Sequence, residues 1–236
     1  GGVSGRSLEM ILEDDATDPK KEISAYQKLT DIDKVSVVIG ADWDIMANSL
    51  LPVLSSKKVV VISPTASPDI VDRTDPYFFT TIAPVWAHQP TVEKYLMSES
   101  GKRVALMYPD TGWGHASRDL YKKSAAATGK TIVAESVLPK FDNNDIQREI
   151  SLLKGSKPEI LLFAVNFVDA KLLAEKNLQL GLNAKLFGHN NIETSYLNSG
   201  IDKAALKDAV VYKLSPPDTN FIAEFKKRFG KEPVSD

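Results

Sequence analysis

The sequence predicts an α/β protein built as two Rossmann-like lobes, each with a parallel sheet flanked by helices. Short β-branched runs alternate with amphipathic segments of about a dozen residues, which marks βαβ units. Several of the runs are apolar throughout, as strands buried on both faces are. A length of 236 residues, with 43 % hydrophobic and 25 % charged side chains, suffices for one large domain or two compact lobes and argues against disorder or a coiled coil.

In chain order, strands are expected at Leu8–Leu12, Val35–Ile39, Val59–Ile62, Val104–Tyr108, Thr131–Ser136, Ile160–Val165, Lys185–Phe187 and Val210–Leu214. The first helix is announced by Asp18-Pro19, an N-cap followed by proline at the first helical position, and covers Lys20–Leu29. Helices over Ile45–Leu54, Ala87–Ser98 and Ala116–Ala127 follow. Asp142-Asn143-Asn144-Asp145 then opens a helix through Leu153, with Ile146, Ile150 and Leu153 at helical spacing. Asp169–Leu180 and Asn220–Arg228 complete the set, and Gly129, Gly155 and Gly181 stand where a left-handed residue ends such helices.

Phe78–Pro84 is extended and apolar but leads into a helix of what reads as a new sheet, so the chain is expected to cross there from one lobe to the other. A return crossing is expected over Tyr212–Pro217. The first lobe is then residues 1–84 with 213–236, and the second 85–212. A hinge between two such lobes suggests closure around a ligand.

In open parallel sheets, ligands bind beyond the carboxyl ends of the strands. Those ends carry Asp14–Thr17, Ala41–Asp44 and Ser63–Ser67 in the first lobe, and Pro109–Gly114, Asn166-Phe167 and His189–Asn191 in the second. Large aromatics beside hydroxyl and amide groups suit a small-molecule pocket. Trp43 and Trp113 are expected to face each other across a cleft, the alternative being that each covers a helix start. Ser63-Pro64-Thr65-Ala66-Ser67 offers hydroxyls and main-chain N–H groups at a strand-to-helix turn, a concavity that fits a carboxylate unless Ser67 only caps a short helix.

Other chemistry has less support. Without cysteine there is no disulfide, thiolate nucleophile or cysteine-based metal site. Lys+Arg 29 against Asp+Glu 31 gives a formal charge of −2, and the longest basic block is Lys226-Lys227-Arg228, which disfavours nucleic acid or an anionic membrane as partner. The apolar runs are too short to span a bilayer, and the chain opens without a signal-peptide pattern, so any such signal is expected to have been removed. His88, His115 and His189 share no metal-ligand spacing, no serine lies in a nucleophile elbow, and no phosphate-binding glycine pattern occurs. One enzyme-like feature is the set Asp14, Asp15, Asp42 and Asp44, which a Mg²⁺-dependent reading would bring together; acids at helix N-termini explain most of them without a metal.

Gly1-Gly2-Val3 with Leu8–Asp15 and Asp18-Pro19, the strand ending at Gly40, Val59–Ser67, Phe79–Pro84, Tyr108–Gly114, Gly188-His189-Asn190 and Phe229–Pro233 occur in an order and spacing that matter together. In these features the chain resembles the type I periplasmic-binding-protein family, specifically the branched-chain amino-acid (Leu/Ile/Val) type of solute-binding protein serving ABC importers. The resemblance implies a hinged clamshell without catalysis or cofactor, a small-molecule solute, an ABC permease as partner and a monomeric state. It also implies a periplasmic or extracellular location, lipid-anchored or free. Ligand carboxylates would be held at Thr65, Ala66 and Ser67, with further contacts from Trp43 and Asp44 and a stacking ring from Trp113.

Two positions depart from the family pattern. Asn190 stands where members that bind α-amino acids commonly carry an acid, and Asn166 stands where an aromatic or small residue often touches ligand. Amides in place of a charge make an ammonium less welcome, so a small carboxylate or amide with an apolar or aromatic body is expected, an amino acid being the alternative. The resemblance further implies a strand and helix ahead of Gly1 and more chain beyond Pro233, so the chain is expected to be incomplete at both ends. A ligand-binding sensor domain and a Mg²⁺-dependent enzyme stay open as other functions.

Overall fold

The computed structural model describes residues 2–66, 75–139, 145–189, 200–212 and 219–232. The chain divides into two compact units, Gly1–Val85 with Thr111–Trp113, and Trp86–Asp110 with Gly114–Asp236. The first boundary thus falls one residue beyond the expected end at 84. The helix Thr219–Phe229 is grouped with the second unit, and the expected return crossing over Tyr212–Pro217 lies, after Tyr212, outside the described residues.

In the first unit the Asp18 carboxylate accepts from the N–H groups of Lys20 and Lys21 at 2.9 and 3.0 Å, and Pro19 begins α1 (Pro19–Gln27) as the capping pattern requires. A π turn (Lys28–Ile32) continues it toward β1 (Val37–Ile39). After α2 (Asp44–Lys57) come β2 (Val60–Ser63) and β3 (Phe78–Thr80), in a parallel sheet of order β1-β2-β3. Tyr26, Met46, Leu50, Leu54 and Val61 form its core.

Leu8–Leu12 does not form the expected strand. Its apolar side chains Leu8, Met10 and Leu12 are 77 %, 79 % and 81 % exposed. A strand exists through its ladder, and among the described residues no neighbour offers this segment one.

A 3₁₀ turn (Val85–His88) begins at the last residue of the first unit's main segment and runs into α3 (Gln89–Ser98) of the second. The chain continues through β4 (Arg103–Pro109), α4 (Gly112–Ala127), β5 (Thr131–Leu138), α5 (Ile146–Gly155), β6 (Ile160–Phe163), α6 (Phe167–Gln179), β7 (Lys185–His189), β8 (Val210–Tyr212) and α7 (Thr219–Phe229). The sheet is parallel with order β5-β4-β6-β7-β8, so the direction of winding reverses between β4 and β6. That reversal is a topological switch point, where the loops leaving two neighbouring strands part and leave a crevice. β6 is buried at every position, which accounts for its uninterrupted apolar sequence. Met107, Ile150, Leu161, Phe163, Leu173 and Leu186 lie in the core on which α5 and α6 pack.

Two local expectations are corrected. α4 starts at Gly112, not Ala116, because Gly114 lets its first turn lie against the end of β4: a Cβ there would sit 2.0 Å from the Pro109 carbonyl oxygen. Gly129 and Gly181 adopt φ of +67° and +66° after their helices, but Gly155 remains the last helical residue of α5 and Lys157 takes the left-handed turn. Among the described residues no helix is long and apolar enough to cross a membrane.

Candidate functional site

Beyond β1, the chain turns through Gly40, Ala41 and Asp42 to Trp43. Ala41 is buried with φ +59°, a conformation that costs an L-residue about 1–2 kcal/mol. Ser63, at the end of β2, holds it there. Its Oγ donates to the Ala41 carbonyl at 2.5 Å, while the Gly40 N–H donates to Ile62 O at 3.1 Å. The turn carrying Trp43 and Asp44 is thereby tied to the turn carrying Thr65 and Ala66. Thr65 is buried and its carbonyl accepts the Thr80 hydroxyl, Ala66 is half-buried, and Ser67 lies outside the described residues.

Trp43 precedes α2 in extended conformation and is 40 % exposed, and its carbonyl accepts the Ala47 N–H at 2.8 Å. Asp44 opens the helix. One carboxylate oxygen accepts from the Ile45 N–H at 3.0 Å and the other from the Trp113 N–H at 2.9 Å. The carboxylate therefore accepts two first-turn N–H groups, those of Ile45 and Trp113, both within the first unit; such groups lack helical partners, and negative charge beside them is stabilised. Trp113, half-buried, is positioned through its main chain by this bond.

Asp14, Asp15, Asp42 and Asp44 do not assemble as a metal-binding set. Asp14 and Asp15 close turns on the N–H groups of Ala16 and Thr17 at 2.8 and 2.7 Å. Among the described residues no group of three or more histidine, cysteine, aspartate or glutamate side chains is placed to hold a metal ion. Glu22 is the unexpected member. It is buried on α1 beside Asp15 and Asp42, and burial, then the hydrogen bond with Asp15 and the nearby negative charges, push its pKa up to about 8. The same bond, with the Thr17 N–H, holds the Asp15 carboxyl below its ordinary range. At neutral pH one proton is thus held between the two groups. By position alone Glu22 reads as a first-turn acid facing solvent; only its burial distinguishes it.

In the second unit the switch point is flanked by the turns after β4 and β6. Asn166, half-buried, is the N-cap of α6, its Oδ1 accepting the Asp169 N–H at 2.9 Å. With the oxygen so used, the carboxamide offers its NH₂ donors to anything bound beside it. Asn190 lies outside the described residues. The histidines serve packing and pairing: His115 Nε2 meets Asp110 at 2.9 Å, while His88 and His189 pack on the Tyr212 ring at centroid distances of 4.9 and 5.6 Å. Burial holds the His88 pKa below its ordinary value.

A family model described as periplasmic binding protein matches residues 1–236. The chain belongs to the periplasmic binding protein family. It is 27 % identical over 207 residues to the Leu/Ile/Val-binding protein BraC3 of Rhizobium johnstonii, a match covering 86 % of this chain and 56 % of the relative. The leucine-, isoleucine-, valine-, threonine- and alanine-binding protein of Pseudomonas aeruginosa is 25 % identical, over 84 % of this chain and 53 % of its own. The chain therefore spans about half the length of these relatives.

Among solved structures, the solute binding protein of an ABC transporter from Rhodopseudomonas palustris BisB5, in complex with 3,4-dihydroxybenzoic acid, superposes with a TM-score of 0.81. It is 26 % identical, and the match covers 97 % of this chain and 65 % of that one. The leucine binding protein LivK of Thermotoga maritima shares the fold, with a TM-score of 0.81 at 15 % identity over 98 % of this chain and 68 % of its own. Each of these is by name a binding protein rather than an enzyme, and the parallel-sheet α/β units of this periplasmic binding protein match the architecture of the two solved structures.

Of the residues expected at its site, this periplasmic binding protein links Trp43, Asp44, Thr65, Ala66 and Trp113 through the Ser63–Ala41 and Asp44–Trp113 bonds, and it sets Asn166 at the switch point of the second sheet. Sequence reasoning missed Glu22 and the holding role of Ser63. The Ser63 role had one available signal, a hydroxyl ending an otherwise apolar strand.

Proposed function

We propose that this periplasmic binding protein works outside the cytoplasm as a monomer, capturing a small carboxylate with an apolar or aromatic body and presenting it to an ABC permease. The residues proposed to contact the solute are Trp43, Thr65, Ala66, Ser67, Trp113, Asn166 and Asn190, with Asp44 acting through the Trp113 main chain. One observation carries the choice of solute: the Asn166 oxygen caps α6, so what this residue offers is a pair of N–H donors. Both Asp44 oxygens already accept main-chain N–H groups, which makes that carboxylate a poor partner for a ligand ammonium. The tryptophans proposed to contact the solute would supply the apolar complement of a carboxylate carried on a ring. The R. palustris relative bound to 3,4-dihydroxybenzoic acid supports this choice.

A second reading, a branched-chain amino acid as solute, is favoured by the identity with BraC3. Isothermal titration of the whole chain with 3,4-dihydroxybenzoate, benzoate, leucine, isoleucine and valine separates the two, supported by thermal shifts, since a solute bound only by the folded state raises its apparent stability. Heat and stabilisation with the benzoates and none with the amino acids is the expected outcome. The reverse pattern establishes the second reading, and silence across all five overturns both.

A further inference from the structure

The second unit contains a chain of buried hydroxyls that no ligand contact requires. Tyr121, on α4, is fully buried, and its hydroxyl donates to the Phe163 carbonyl at 2.7 Å. The Tyr212 hydroxyl, at the end of β8, lies 3.2 Å from that of Tyr121. A phenol has one proton, and the Tyr121 proton is committed to a carbonyl that can only accept. Tyr212 must therefore be the donor to Tyr121, giving a directed chain from Tyr212 through Tyr121 to Phe163 O. Burial pushes Tyr212 up to about 12 and Tyr121 well above its ordinary value, so both remain neutral donors.

Phe163 is the last residue of β6, and the next three residues form the turn that ends in the Asn166 cap. The oxygen that Tyr121 holds is also approached closely by β7: a Cβ on Gly188 would lie 2.3 Å from it and 2.7 Å from the Phe163 ring. One residue on, the Ala164 N–H donates to Met107 O at 2.9 Å, fixing the turn to β4. The far end of the chain is equally constrained. The Tyr212 ring packs against His88, His189 and Phe187 at centroid distances of 4.9, 5.6 and 5.6 Å, and Phe187 stacks on Tyr95 at 3.9 Å. Tyr212 and Tyr121 are 91 residues apart in sequence, so the bond between them joins β8 to α4 across the body of the unit.

We infer that Tyr121 and Tyr212 are positioning residues for the solute site, their hydroxyl chain fixing the Phe163 carbonyl and with it the turn that presents the Asn166 carboxamide. This rests on the proposal that Asn166 contacts the solute. Losing one hydroxyl loosens the turn, and weaker binding follows even though neither tyrosine touches solute.

The test measures dissociation constants for 3,4-dihydroxybenzoate and leucine with the whole chain, for the natural sequence, Tyr121→Phe, Tyr212→Phe and Asn166→Ala, and for Tyr121→Phe combined with Asn166→Ala. Amide hydrogen exchange over residues 164–170 is followed in parallel. Tyr121→Phe is expected to weaken binding roughly three- to tenfold, the scale of one buried hydrogen bond, and Tyr212→Phe by a smaller factor, both speeding exchange in that turn more than in β4. In the Asn166→Ala background, Tyr121→Phe is expected to cost no further affinity, whereas a purely structural role would leave the two effects independent. Tyr212→Phe leaves the Tyr121–Phe163 bond in place and serves if Tyr121→Phe does not fold. Unchanged affinity with a lowered melting temperature overturns the inference while the proposed function stands. If the natural sequence binds neither probe, the proposed function fails and the inference with it.

Discussion

Replacing Glu22 with Gln should change how the stability of the first unit depends on pH. Glu22 is 7 % exposed, and its folded pKa is about 8 against an ordinary 4.5. Between those two values the folded state holds a proton that the unfolded state has released. Stability therefore falls as pH rises, by up to about 1.4 kcal/mol per pH unit, is fully present below 4.5 and levels off above 8. The ceiling over the whole window is about 5 kcal/mol, of which about 2–3 kcal/mol lies between pH 5 and 7. The substituted amide keeps the shape and can donate to Asp15 as the carboxylic acid does, but it does not titrate. Glu22→Gln should match the natural chain near pH 5 and be more stable by about 2–4 kcal/mol at pH 8.

Urea titrations at one-unit steps from pH 5 to 8, read as the shift in midpoint, measure this directly. Asp15 does not confuse the reading. Its pKa is held below the ordinary 3.8, so its contribution is present above that value and is lost on acidification below the window. Parallel curves for the two proteins from pH 5 to 8 would refute the assignment, as would a carboxyl resonance of Glu22 that titrates below pH 5.5.

Further substitutions follow from the geometry. Gly114→Ala places a Cβ 2.0 Å from Pro109 O and should destabilise by about 1–3 kcal/mol or more in urea denaturation, since main chain cannot give way as a side chain does. Ser63→Ala leaves the Ala41 carbonyl without its hydroxyl donor and should cost about 1–3 kcal/mol, and Ala41→Gly in that background should recover part of the loss by relieving the positive φ. Asn166→Asp keeps an effective N-cap but replaces NH₂ donors with a carboxylate, so the melting temperature should hold while 3,4-dihydroxybenzoate binding falls at least about tenfold in calorimetry.

Several features of this protein are written in local sequence. Ile160–Val165 reads as a doubly buried strand because all of its side chains are apolar, and its first four residues form one. Asp18-Pro19 places a helix start to the residue, because capping needs only groups two and three positions away. The turns proposed to hold the solute are nominated by sequence for the same reason: strand ends can be counted, and hydroxyls, amides and tryptophans after them stand out. Leu8–Leu12 shows the limit. Its pattern is that of a strand, but a strand forms only if another segment supplies the ladder.

Tertiary structure alone decided the rest. It set the β5-β4-β6-β7-β8 order and hence the switch point, gave the Asp44 carboxylate the main-chain N–H of Trp113, buried Glu22 against Asp15, and joined Tyr212 to Tyr121. Periodicity reports which face of one element is apolar, and it extends no further than a few turns. Which remote groups meet on that face depends on the closure of long loops and on the burial that follows, and it is burial that shifts a carboxyl's pKa or makes a hydroxyl seek a partner.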